Sequence, residues 1–102
     1  MEIMPPTLRI SEKEKTLLLE LLRRHLPGVD VWAYGSRVGG KSSPRSDLDL
    51  VVFASAEQSR QVGDLRESLE ESDLPFRVDL FVWEELPESF QKNIEAFHTV
   101  LN

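Results

Sequence analysis

Two periods of apolar residues alternate along the chain. Residues 1–8 read as a loose leader containing Pro5-Pro6. Ser11-Glu12-Lys13-Glu14 then has the form of a capping box, in which Ser11 and Glu14 satisfy each other's free backbone donors. From there to about His25, Leu17, Leu18, Leu21 and Leu22 recur at i, i+3 and i+4, which predicts an amphipathic helix stopped by Pro27-Gly28. Val29–Tyr34 alternates as a strand, with Val29, Val31 and Ala33 on one face and Trp32 and Tyr34 on the other. After the polar, glycine-rich stretch Gly35–Ser46, Leu48–Phe53 is almost continuously apolar, the mark of a strand buried on both faces. Ser55 and Gln58 repeat the capping-box pattern and open a helix to about Glu71, whose apolar face is only Val62, Leu65 and Leu69. Pro75 precedes a third strand over Arg77–Val82. Pro87 and Glu88 begin a last helix carrying Phe90, Ile94 and Phe97, and the chain closes with Val100-Leu101. The order α-β-β-α-β-α predicts an α+β fold, a small mixed sheet of three or four strands backed by helices.

Size and composition narrow this picture. A chain of 102 residues without repeat or linker is expected to form a single domain over residues 1–102. With 40% hydrophobic and 29% charged residues it has the make-up of a globular domain, not of a disordered one. A domain of this size buries on the order of 60–70% of its unfolded surface, so a deep cleft would remove core that it needs. The expected site is open, one that a partner protein could complete. Twelve basic against eighteen acidic residues give a net charge of −6, which makes nucleic acid a poor partner but leaves magnesium-bound nucleotides admissible. The absence of cysteine excludes a disulfide framework and thiolate metal sites. No apolar run approaches the roughly 18 residues of a membrane span, and the first residues lack the form of a signal peptide, so the cytoplasm is the expected compartment.

Candidate chemistry gathers in three places. Asp47 and Asp49 flank Leu48 at the start of the second strand, and strand alternation turns both to one face. Neighbouring carboxylates repel and are costly to bury without a counter-charge, which a divalent cation supplies; magnesium suits such oxygen ligands. Asp79 adds an acid inside the third strand. If that strand pairs beside Leu48–Phe53, the three acids could hold two Mg2+ ions, an arrangement that stabilises the attacking and leaving oxygens of a phosphoryl displacement. Gly35-Ser36 follows the first strand at a turn where glycine lets backbone amides approach an anion and the serine hydroxyl adds a donor. Arg37, Lys41 and Arg45 form a basic cluster beside it, placed to meet a triphosphate such as that of ATP.

Gly35-Ser36, ten intervening residues and then Asp47-x-Asp49 resemble the signature of the DNA polymerase β-like nucleotidyltransferases. The segments Val31-Trp32-Ala33-Tyr34-Gly35-Ser36-Arg37 and Ser46-Asp47-Leu48-Asp49-Leu50, with the short length, resemble the minimal nucleotidyltransferases among them. The resemblance spans about Leu17 to Leu101 and implies the polymerase β palm-like fold. It further implies that the glycine-serine pair grips nucleotide phosphates, that the Asp-x-Asp pair holds magnesium, and that the later acid, Asp79 here, completes the metal site and helps deprotonate the acceptor. Such proteins are paired with a helical HEPN toxin, for which they act as antitoxin by attaching AMP from ATP to a tyrosine. Many relatives carry Ala and then Arg-Gly or Lys-Gly after Gly-Ser-Arg; this chain has Val38-Gly39-Gly40-Lys41, with its basic residue shifted.

Other roles for the same residues stay open. Asp47 and Asp49 could be turn-capping or solvated acids, and Ser36 a helix N-cap. Asp79 could be an ion-pair partner of Arg77 or Arg45. Arg37, Lys41 and Arg45 could keep a loop soluble. His25 and His98 read as helix-end or helix-surface residues, Trp32 and Trp83 as core or interface anchors, and Glu67, Glu70, Glu71 and Asp73 as a solvated face. At the level of function, the alternative to an enzyme is a non-catalytic module that neutralises a HEPN-type toxin by complex formation; a drug- or metabolite-modifying transferase fits less well, because the chain has no room for a separate acceptor domain. Homo- or hetero-oligomers suit either reading.

Overall fold

The computed structural model describes residues 8–39 and 46–102. Helix α1 (Glu12–His25) starts on the expected capping box: the Ser11 hydroxyl accepts from the Glu14 amide at 3.1 Å, and the Ser11 amide donates to Glu14 Oε1 at 2.8 Å. Glu12 and Glu14 in its first turn and Arg23, Arg24 and His25 in its last complement the helix dipole. Gly28, at φ 76°, turns the chain into strand β1 (Val31–Tyr34). A single helical turn, α2 (Ser36–Gly39), follows at once. Strand β2 (Leu48–Val52) leads through a 3-10 turn, Ala56–Gln58, into helix α3 (Ser59–Glu71). Strand β3 (Val78–Val82), a second 3-10 turn (Trp83–Glu85), helix α4 (Glu88–Ala96) and a two-residue strand, β4 (Thr99–Val100), complete the order.

The fold is α+β, with one mixed four-stranded sheet in the order β3-β2-β1-β4. Strand β1 runs antiparallel to β2 and β4, whereas β2 and β3 are parallel, a connection that needs a crossover and receives α3. The six expected elements are all present. Two further ones, α2 and β4, are too short to leave a periodic pattern in sequence. Strand β4 is held by side-chain chemistry as much as by its own ladder: the Asn102 amide accepts from the Val31 amide at 3.0 Å and donates to the Val29 carbonyl.

The two faces of the sheet differ. Leu18, Leu21 and Leu22 of α1 and Val62, Leu65 and Leu69 of α3 pack on Val31, Ala33, Leu48, Leu50, Val52 and Leu80 to make the main core. His25, half-buried at the end of α1, ties that helix to α3 through Ser68 Oγ at 2.9 Å. On the opposite face Val51 and Ile94 of α4 are buried outside that core. Trp32, Phe53 and Trp83 contact one another there, and His98 stacks flat on Trp32 at 3.7 Å and 13°. Both tryptophans are thus half-buried members of this aromatic group. Strand β2, central and covered on both faces, is as apolar as that position demands. Strand β3 is an edge, and its free Leu80 carbonyl is taken by the Arg66 guanidinium at 2.9 and 3.2 Å, which blunts the edge against further strand pairing.

Leu65 is fully buried where α3 meets the sheet. Leu65→Ala is expected to cost about 2–5 kcal/mol of unfolding free energy, read from urea denaturation.

Candidate active site

The site lies where β1, β2 and β3 meet on the face away from α1 and α3. Register places Tyr34 of β1 opposite Asp49 of β2, and Asp49 beside Asp79 of β3, so the three form one row across the sheet. Asp47 stands exposed just before β2. The order of the row follows from alternation: Leu48 and Leu50, and Val78 and Leu80, go to the core, which leaves the aspartates facing the other way.

Gly35 ends β1 at φ 84°, a backbone conformation that favours glycine, and a Cβ there would run into the Asp49 carboxylate. No other residue meets both conditions. The turn carrying exposed Gly35 and Ser36 is thereby seated against an aspartate carboxylate.

The electrostatics of the row are unfavourable to charge. The Asp49 carboxyl is pushed above the usual carboxylate range, first by burial and then by the charges of Asp79 and Asp47. The Tyr34 hydroxyl is pushed up to about 12 by burial, then by Asp49 and Asp79. Asp79 is offset by Arg77, whose Nε donates to Asp79 Oδ1 at 3.0 Å, the ion pair that the sequence admitted. Among the described residues no set of three or more His, Cys, Asp or Glu side chains converges closely enough to hold a metal ion. Asp49 and Asp79 are nevertheless hard oxygen donors on adjacent strands, the chemistry that a divalent cation prefers.

The basic cluster fares differently. Arg37 is 5% exposed: its Nε donates to the Ser46 carbonyl at 2.7 Å, its NH1 to the Arg9 carbonyl at 2.9 Å, and its guanidinium lies 4.0 Å from the Phe76 ring centroid. It ties together the segments before α1, after β1 and before β2. Its expected phosphate contact therefore gives way to a tethering role, because these backbone carbonyls and the ring engage the guanidinium. Lys41 and Arg45 lie outside the described residues. Tyr34 is the neighbour that sequence reading passed over as a site residue; its signal was its place directly before Gly35, on the strand face opposite Val31 and Ala33.

Residues 18–101 match the family model for polymerase beta, nucleotidyltransferase. The chain belongs to the polymerase β nucleotidyltransferase family. It is 38% identical over 95 residues to a Haemophilus influenzae protein named probable protein adenylyltransferase MntA, covering 92% of this chain and 83% of that one. Among solved structures, a toxin-antitoxin complex with AMP-PNP is similar with a TM-score of 0.71 at 21% identity, over 86% of this chain and 72% of the other. A complex of tri-AMPylated Shewanella oneidensis HEPN toxin with MNT antitoxin gives a TM-score of 0.55 at 13% identity, over 91% and 72%. At such identities these likenesses show the shared fold.

Two expectations test this layout. A carboxyl raised in the fold contributes stability at low pH that is lost as pH rises through its folded pKa. Asp49→Asn should therefore raise the Tm of the metal-free protein at pH 7, by a few degrees once solvent screening is allowed for, and the gain should fade as pH drops through the ordinary aspartate range near about 4. Arg37→Lys keeps the charge but not the planar fork, and is expected to lose roughly 1–3 kcal/mol in denaturant melts.

Proposed function

We propose that this family member transfers AMP from ATP to a protein hydroxyl, a tyrosine of a helical HEPN-type toxin, and thereby acts as its antitoxin. The observation that carries the reading is the placement of Asp49 beside Asp79 on paired strands, against the Gly35-Ser36 turn. The 38%-identical relative named as a protein adenylyltransferase, together with the structural neighbours that hold an ATP analogue or an AMPylated toxin, supports the nucleotide and the acceptor class.

In this reading Gly35 and Ser36 hold the phosphates through backbone amides and the Ser36 hydroxyl. Lys41 and Arg45 are the remaining candidates for phosphate contact, Arg37 being engaged elsewhere. Asp47, Asp49 and Asp79 would hold magnesium, two ions in the fullest form, with Asp79 exchanging Arg77 for the cation. Bound there, magnesium would neutralise the phosphates and acidify the acceptor hydroxyl. The acceptor oxygen attacks the α-phosphorus, the bond to the bridging oxygen breaks, and pyrophosphate leaves; in this reading Asp79 takes the hydroxyl proton. The elevated Asp49 carboxyl is consistent with this use, since a row of carboxylates that repel one another is relieved by a cation.

A second reading, neutralisation by occlusion without chemistry, is favoured by one observation: Asp79 is already engaged by Arg77. Incubation of the chain with Mg2+, α-labelled ATP and its helical partner separates the two. Transfer of label to the partner, abolished in Asp49→Asn while the complex still forms, is the expected result. A tight complex that never acquires label, and an Asp47/Asp49 double variant that still protects cells, would establish occlusion instead.

A further inference from the structure

Beside the phosphate-binding turn runs an open groove of about 320 Å³ between the end of β1 and helix α4, lined by Tyr34, Gly35, Phe90, Asn93, Ile94 and Phe97. Its position is telling, because Gly35 belongs to both the groove and the turn. Its composition is telling as well. Phe90 and Phe97 are 49% and 44% exposed, two of the four large apolar side chains left open among the described residues. Phe90 stands in the first turn of the last helix and Phe97 just past its end, in extended backbone, and both line the groove together with Asn93. Two half-open phenyl rings with an amide beside them offer flat apolar surface plus an NH2 donor group and a carbonyl acceptor. That is the complement of a heterocyclic base, whose faces stack and whose edge carries hydrogen-bonding groups.

The walls are also fixed in place. Ile94 is buried at 2% exposure on the sheet. The Gln91 side-chain amide donates to the Trp83 carbonyl at 2.8 Å. His98 Nδ1 lies 2.9 Å from the Ile94 carbonyl while its ring stacks on Trp32. Helix α4 is thus pinned near both ends, and a ligand entering the groove meets surfaces that are already ordered.

We propose that this groove is the base subsite of the nucleotide whose phosphates sit at Gly35-Ser36, with Phe90 and Phe97 as stacking surfaces and Asn93 as the group that reads the base edge. The assignment rests on the nucleotidyltransferase reading above. It also gives a use to aromatic surface that a 102-residue domain otherwise leaves in water.

The test compares ATP with inorganic tripolyphosphate, which has the phosphates but no base, by calorimetric titration of the full chain in Mg2+. The wild type is expected to bind ATP about tenfold or more tighter than tripolyphosphate. In a Phe90→Ala/Phe97→Ala variant, with the fold checked by circular dichroism, ATP should weaken to the level of tripolyphosphate while tripolyphosphate itself is unchanged. Asn93→Ala should narrow the difference between ATP and GTP and leave tripolyphosphate binding alone. If the double variant keeps the full preference for ATP, the subsite is overturned while the function stands. If it keeps that preference but no longer holds the helical partner, the groove is a protein-docking surface and the subsite is again overturned. Failure of wild type to bind either ligand overturns the nucleotide reading itself, and the subsite with it.

Discussion

The parallel pairing of β2 with β3 puts Asp49 next to Asp79, and nearly every feature of the site follows from accommodating those two charges. Leu48 and Leu50 on one strand and Val78 and Leu80 on the other pack against the helices, so alternation leaves both aspartates no place but the opposite face. Burial and neighbouring charge then raise the Asp49 carboxyl, while Arg77 offsets Asp79. The backbone adapts too: Gly35 takes a positive φ and carries no Cβ, which lets the turn after β1 come down on the Asp49 carboxylate. Repulsion between carboxylates concentrated in one place, inside a domain whose core is otherwise regular, is a usual sign that stability has been given up for chemistry.

The domain manages this with little material. One face of the sheet is a conventional core built with α1 and α3. The other is smaller, closed by Val51, Ile94 and a group of stacked aromatic rings. That second face is why α4 can lie alongside the site instead of being absorbed into the core, and why Phe90 and Phe97 stay open.

Arg37 illustrates how burial reassigns a charged residue. Next to a glycine-serine turn and in an acidic protein, an arginine is a natural phosphate contact. Here two backbone carbonyls from separate segments and the face of Phe76 surround it, and a guanidinium supplied with such partners is more stable buried than extended to solvent. Its contribution to a nucleotide site would be indirect, by fixing the segments on either side of the turn.

Local chemistry made much of this legible from sequence. The Ser11 capping box, the leucine stripe of α1, the Val62-Leu65-Leu69 face of α3 and the continuous apolar run of β2 each encode an element through short-range hydrogen bonding or burial period. The pair Gly35-Ser36 with Asp47-x-Asp49 marked the candidate site through its resemblance to the nucleotidyltransferase signature. Contacts between distant residues were decided only by the tertiary structure: the alignment of Asp79 with Asp49, the placing of Tyr34 in the same row, the turning inward of Arg37 and the completion of the sheet by β4 through Asn102. Each depends on strand register or on carbonyls supplied from tens of residues away, and no local pattern records those. The sequence determined which residues could carry charge and which apolar faces would be buried; packing determined which charges are buried and which of them meet.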